Sequence, residues 1–329
     1  MPALKKAATE IEFAGIGYAS PEEWFEDIGV VSKDAVREQQ ERELSKAQAF
    51  VDAYEGKIYA GYSKLIESNE IDAIYLPLPP ALHYKWAKLA LENGKHVFVE
   101  KPSTCYLREA EELITIAKEK KLALHENYMF VFHNQIKELN DIINEGSKVG
   151  KTRLYRITFG FPRRALTDFR YNKQLGGGAL LDAGGYTMRC ATELLGETAK
   201  VITAQVNYDP DFEVEIFGST TMVNEEGLTA QLAFGMDNDY RCDIEVWGSK
   251  GTLTSGRILT APVGFVPTYT LKQNQEYSQH NFSEDDAFYK SIQRFMECTT
   301  DETVRNKNYN IILKQAQLIQ QFRDLSGLK

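Results

Sequence analysis

Between residues 57 and 125, short apolar runs alternate with amphipathic stretches of helical spacing, and this alternation limits the fold more than any other feature of the chain. Lys57–Tyr59 reads as a brief strand and Ser63–Ser68 as a short helix. Asp72–Leu78 is a near-continuous apolar strand halted by Pro79-Pro80, and His83–Asn93 is a helix stopped by Gly94. His96–Val99, Leu107–Glu119 and Ala123–His125 then follow as strand, helix and strand. Upstream, Ile11–Ile16 is expected as a strand. Arg37–Tyr54 is expected as a helix with Leu44, Ala47, Phe50, Val51 and Tyr54 on one face. Strands joined through helices pair in parallel with right-handed crossovers.

The period then changes. After a helix at Gln135–Glu145, two-residue alternation dominates in Arg153–Phe159, Ala199–Tyr208, Glu213–Val223, Leu228–Met236, Arg241–Trp247 and Tyr269–Lys272. Turn signals such as Glu225-Glu226-Gly227 and Gly248-Ser249-Lys250-Gly251 separate them, which predicts a large, mainly antiparallel sheet. Helices at Glu284–Glu297 and Asn308–Leu325 close the chain. A length of 329 residues suits two domains, with the boundary near residue 125. The expected class is α/β: a parallel-sheet domain over residues 1–125 and an α/β domain over 126–329.

A net charge of −9, with basic residues scattered along the chain, argues against nucleic acid or an anionic membrane as partner. No apolar run reaches spanning length, and no apolar segment follows Lys5-Lys6 as a secretion signal would require. The four cysteines are far apart, with no CxxC pair, as expected of free thiols in a cytoplasmic protein. The histidines do not cluster, so no metal site is expected.

Chemistry concentrates at Gly94-Lys95-His96-Val97-Phe98-Val99-Glu100-Lys101-Pro102. A buried strand there should open onto a cleft with an acid and a base side by side. Ligands of open α/β sheets bind outside such carboxyl ends. Two further stretches accompany it. One is Glu126-Asn127-Tyr128-Met129-Phe130-Val131-Phe132-His133. The other joins Asp168-Phe169-Arg170-Tyr171 to Leu175-Gly176-Gly177-Gly178-Ala179-Leu180-Leu181-Asp182-Ala183-Gly184-Gly185-Tyr186. From about residue 46 to its end the chain resembles the Gfo/Idh/MocA family of NAD(P)-dependent oxidoreductases. The resemblance implies an N-terminal Rossmann domain, a C-terminal domain with an open antiparallel sheet, and a homodimer or homotetramer built through that sheet.

The N-terminus departs from the family, whose members open with a strand leading into GxGxxG, the cradle of the cofactor pyrophosphate. Two alignments compete. In the favoured one, Met1–Ala8 is the end of the family's first helix, Glu12–Ile16 its second strand and residues 21–45 an insertion, so the first strand and glycine loop are missing. In the other, Gly15-Ile16-Gly17-Tyr18-Ala19-Ser20 is a degraded glycine loop and Ile28–Val31 the second strand, which leaves only Pro21–Asp27 for a crossover helix. Both bring Gly15, Gly17 and Ser20 to the cofactor. No acid at Ala19-Ser20 stands ready to hold ribose hydroxyls, so the choice between NAD and NADP leans to NADP.

The resemblance further implies that Pro77, Leu78, His83, Glu100 and Lys101 line the cofactor, and that Asn127, Arg170, Tyr171, Asp182 and Tyr186 face the substrate. Lys101 would polarise a carbonyl or stabilise an alkoxide. Tyr186 stands where many members carry His, as in the glucose–fructose oxidoreductase and ketosugar-reductase branches. It would exchange a proton with the substrate oxygen, a nearby cation such as Lys101 lowering its pKa. Asp182, one helical turn earlier, either orients substrate or Tyr186 or caps a helix. Gly176–Gly178 would let backbone pass close to cofactor or substrate. Arg163-Arg164 is either a solvated pair or a clamp for phosphate or an acidic sugar. The implied activity is hydride transfer between nicotinamide and a carbon of a sugar or nucleotide sugar. The alternative is a cofactor-impaired, non-catalytic member that binds a ligand or a partner.

Overall fold

In the computed structural model, which describes residues 2–23 and 33–328, parallel strands and helices occupy the first part of the chain and a broad sheet the second. The first part runs α1 (Pro2–Lys6), β1 (Gly15–Tyr18), α2 (Lys33–Tyr54), β2 (Lys57–Ala60), α3 (Tyr62–Glu67), β3 (Ala73–Leu76), α4 (Pro80–Glu92), β4 (His96–Val99), α5 (Leu107–Lys120) and β5 (Leu124–Glu126). Local chemistry sets the ends. Proline opens α4, where a missing N–H costs nothing, and Gly94 follows its end at φ 77°. Glu109 reaches back to the Tyr106 N–H at 3.2 Å to close the first turn of α5.

All pairings in this part are parallel, but they form two separate sheets. One is β1-β2, the other β3-β4-β5. Among the described residues the free edges of β1 and β3 have no strand between them. Helix α3 packs on both pieces, and Ile66 joins Ile74, Leu76, Trp86 and Val97 in one apolar core.

β1 settles how the N-terminus is read. It lies at Gly15–Tyr18, later than the expected Glu12–Ile16, and pairs with β2 from Gly15↔Lys57 to Tyr18↔Ala60. Gly15 and Gly17 are therefore strand residues, not a phosphate loop. A Cβ at Gly15 would sit 2.4 Å from the Lys57 carbonyl oxygen, so close strand approach demands glycine there. The strand expected at Ile28–Val31, and most of the Pro21–Asp27 helix, lie outside the described residues. Helix α2 begins at Lys33, inside the stretch read as an insertion.

The second part holds α6 (Asn134–Glu145), β6 (Thr152–Gly160), a π-helical turn at Leu180–Gly184, α7 (Gly185–Leu195), β7 (Lys200–Tyr208), β8 (Glu215–Val223), β9 (Thr229–Gly235), β10 (Arg241–Gly248), β11 (Thr252–Gly256), β12 (Thr268–Gln273), β13 (Glu276–Asn281), α8 (Ala287–Thr300) and α9 (Glu302–Ser326). The sheet has eight strands in the order β13-β12-β11-β10-β6-β9-β8-β7, antiparallel except for β6 with β9. Its inner face buries Tyr155, Ile157 and Phe159 of β6 against α7 and the π-helical turn. α9 fastens the two parts together: it packs on β7, while Tyr309 and Asn308 bond the carbonyls of Leu122 and Leu124 beside β5.

Candidate active site

Lys101 follows β4 and projects from the carboxyl edge of the parallel sheet. Its Nζ lies 2.8 Å from both Asp182 Oδ1 and the Asp182 carbonyl oxygen. Glu100 is not its partner. The Glu100 carboxylate accepts from Tyr75 Oη and Asn127 Nδ2, each at 2.7 Å. Arg170 holds the other side of Asp182, with Nε 2.7 Å from Oδ2, and also reaches Asp168 at 3.1 Å. Burial alone would push the Asp182 carboxyl up, but Lys101 and Arg170 together hold it below the usual carboxylate range. It is an ionised link between two cations.

One turn on, Tyr186 leads α7. Its ring packs edge-on against Tyr128 (5.2 Å) and Phe159 (5.3 Å) and tilts over Phe130 (5.8 Å). Lys101 Nζ stands 4.7 Å from the ring centroid. The hydroxyl makes no hydrogen bond among the described residues and is not among their sealed, unpaired polar atoms, so it is free to meet a ligand. The sequence expectation of a lowered pKa is corrected here. Burial, then Glu100 and Asp182, push the phenol well above its ordinary value, while Lys101's charge is shared with Asp182. Tyr186 therefore stays protonated through the neutral range.

The segment carrying Asp182 and Tyr186 is set from behind. Glu215, buried on β8, accepts the Leu180 N–H at 2.9 Å. Gly178 (φ 117°) presses so close to that carboxylate that a Cβ would lie 2.5 Å from it. Gly176 and Gly177 likewise press on Ala81, Cys105 and Arg170. The glycine run thus approaches the protein's own groups. Glu215 was missed in the sequence, where it is one polar residue in an alternating strand.

Residues 11–128 match the NAD-binding Rossmann fold of the Gfo/Idh/MocA oxidoreductase family, and residues 136–254 match the family's C-terminal domain. The chain belongs to this oxidoreductase family. It is 34% identical to a dTDP-3,4-didehydro-2,6-dideoxy-alpha-D-glucose 3-reductase of Actinomadura kijaniata, over 86% of this chain and 85% of that one. A Streptomyces violaceoruber protein of the same name is 32% identical, over 87% of this chain and 86% of its own. The solved structure of KijD10, a 3-ketoreductase from Actinomadura kijaniata in complex with NADP and TDP-benzene, superposes with a TM-score of 0.82 at 34% identity and 86% coverage of both chains.

As an oxidoreductase of this family the protein calls for a nicotinamide cofactor, and its residues fit one end of it. Outside β3–β5 lie the Lys101 ammonium, the fixed Glu100 and the turn Pro77-Leu78. Behind them Glu126 is buried, one oxygen accepting the Ser103 N–H at 2.6 Å and the other unpaired. For the pyrophosphate, the described residues offer no GxGxxG turn; a lone glycine, Gly61 (φ 129°), lies between β2 and α3. At the end of β1, Ser20 caps the helical turn at 21–23, its N–H donating to Glu23. Glu23 is an acid just past the end of β1 that the sequence reading had placed nowhere. Its oxygens are spent on Ser20, Tyr62 and Ser63.

Three expected contact residues turn inward instead. His83 is fully buried, its nitrogens 2.7 Å from the carbonyl oxygens of Pro102 and Leu78, so it staples the two strand-end turns together. Asn127 is buried and spans Glu100 and Ser291. Tyr171 accepts the Arg164 N–H and donates to the Met236 carbonyl while stacking on Phe212 at 4.4 Å. Each of the three is held by at least one partner well separated in sequence, Pro102, Ser291 or Met236, which no local pattern announces.

Proposed function

We propose that this protein reduces a ketone on a nucleoside-diphosphate-linked deoxysugar, with NADPH as reductant. The observation that carries the reading is the convergence of the Lys101 ammonium and the unpartnered Tyr186 hydroxyl at the mouth of the parallel sheet, in a chain 34% identical to dTDP-sugar 3-reductases. NADPH, when bound, supplies the hydride. A carbonyl oxygen seated between the two groups takes a hydrogen bond from Tyr186 and feels the positive field of Lys101, so charge developing on oxygen is stabilised and then protonated. The raised pKa keeps Tyr186 protonated, so it has a proton to give when hydride arrives at carbon. Asp182 keeps the Lys101 amine from turning away and ties it to Arg170.

In this reading residues 1–125 carry the cofactor and 126–329 the substrate. The outer face of the eight-stranded sheet exposes Ile202 and Trp247, which suits a homodimer or homotetramer formed through it. All four cysteines are free and buried, in keeping with a cytoplasmic enzyme.

The test is NADPH consumption with a dTDP-linked 3-keto-deoxysugar, with NADH run alongside. Turnover that prefers NADPH is expected. Folded protein that oxidises neither cofactor with any dTDP-linked 3-keto-deoxysugar would overturn the assignment.

A further inference from the structure

The reductase reading leaves open which group recognises the diphosphate of such a substrate, and the loop between Phe161 and Tyr171 supplies a candidate. Its first ring, Phe161, continues the inner face of β6. Rings lead outward from the proton donor in three steps: Tyr186 to Phe159 at 5.3 Å, Phe159 to Phe161 at 5.9 Å, and Phe161 to the Arg164 guanidinium at 5.2 Å.

The loop is anchored along its length. Phe161 bonds Gly235 and Asn238 through its backbone, and Arg163 is tied to Asp209 and Asp237, each at 2.8 Å. The Arg164 N–H is held by Tyr171 at 2.9 Å. The neighbouring arginines thus differ sharply. Arg163 is consumed by two carboxylates. Arg164 is exposed, rests on an aromatic face and has no acidic partner among the described residues. In a protein of net charge −9, an unneutralised guanidinium on an anchored loop beside the site is a poised anion receptor.

We propose that Arg164 binds the diphosphate of the nucleotide-linked substrate and so sets the preference for linked over free sugars. The inference rests on the reductase reading. The diphosphate hangs from the anomeric carbon, two ring positions from a ketone at C3. With the ketone at Tyr186, its charge falls along the ring ladder toward Arg164. Phe161 backs the guanidinium at 5.2 Å, and the guanidinium N–H groups then meet phosphate oxygens.

The probe is dTDP, which carries the diphosphate and cannot react. Calorimetric titration compares dTDP with thymidine on the wild type, Arg164→Ala and Arg164→Lys, with NADPH binding and circular dichroism confirming the fold. Wild type should prefer dTDP strongly. Arg164→Ala should lose roughly tenfold or more in dTDP affinity, with a flatter salt dependence and unchanged thymidine binding. Arg164→Lys should fall between. If wild type prefers dTDP and Arg164→Ala keeps that preference in full, the assignment of Arg164 is wrong while the reductase reading stands. If wild type binds dTDP no better than thymidine, the nucleotide-sugar reading itself fails, and the role of Arg164 fails with it.

Discussion

The two walls of the cleft hold their reactive groups in opposite ways. On the sheet wall, Glu100 and Lys101 are fixed by hydrogen bonds and charge, each with two polar contacts from other elements. On the other wall, Tyr186 is fixed through its ring, wedged among Tyr128, Phe130 and Phe159 and facing Lys101, with its hydroxyl unspent. A group that must supply charge can be restrained by polar contacts and a counter-charge, which fix its position while offsetting part of its field. A group that must give up a proton is best restrained by its carbon skeleton, because any hydrogen bond made by its oxygen would compete with the substrate.

The contrast is most sharply broken at Tyr186 and Lys101. Tyr186→Phe keeps the ring packing and removes only the donor. It should lower kcat on the order of a hundred- to ten-thousandfold with little change in Tm. Lys101→Ala should do similar damage to kcat and also leave Asp182 with one cation instead of two. Near-normal turnover in both would dismiss the mechanism. In wild type, the pH profile of kcat should show no tyrosine limb up to about pH 10, where an unperturbed phenol titrates.

Next comes Asp182→Asn, which preserves shape and deletes the charge between Lys101 and Arg170. Removing one member of a nearly buried charge cluster should cost about 3–5 kcal/mol of stability. The sign of the pH effect follows from the lowered carboxyl pKa. The stability Asp182 contributes is complete above its unfolded pKa and disappears as pH falls through the lower folded value. The acid limb of denaturation should therefore be shallower in Asp182→Asn, and an unchanged limb would show that the charge is not what holds the cluster.

The smallest effect belongs to Glu215→Ala, behind the packed wall. It orphans the Leu180 N–H and should cost about 1–3 kcal/mol. If Glu215 also aims the segment, kcat falls while substrate KM holds, and Glu215→Gln recovers most of the loss. A drop in Tm with kinetics intact would make the residue purely structural.

Much of this was legible in the sequence, for definable reasons. Lys101 and Tyr186 sit in motifs whose local pattern is itself the requirement: a strand end before proline, and a glycine run before a helix. The alternation of β6 to β10 likewise prints itself on the chain. β13 (Glu276–Asn281) did not, because an edge strand exposed on both faces needs no apolar alternation. His83, Asn127 and Tyr171 were read as contacts because the family resemblance implied it. Their roles were decided instead by Pro102, Ser291 and Met236, which only the folded chain brings near. Arg163 and Arg164 were indistinguishable as a dipeptide, and the positions of Asp209 and Asp237 separate them.

The division of the parallel layer bears on how the molecule breathes. Among the described residues, β1 and β2 are hydrogen-bonded to each other and joined to β3–β5 through the side chains around α3, with no ladder of backbone bonds across the gap. Side-chain contacts give way piecemeal, whereas a continuous ladder opens all at once. The β1-β2 pair therefore forms its own cooperative unit, with an opening free energy below that of the rest. Its amides should exchange with solvent through local openings long before those of β4, which is laddered on both sides.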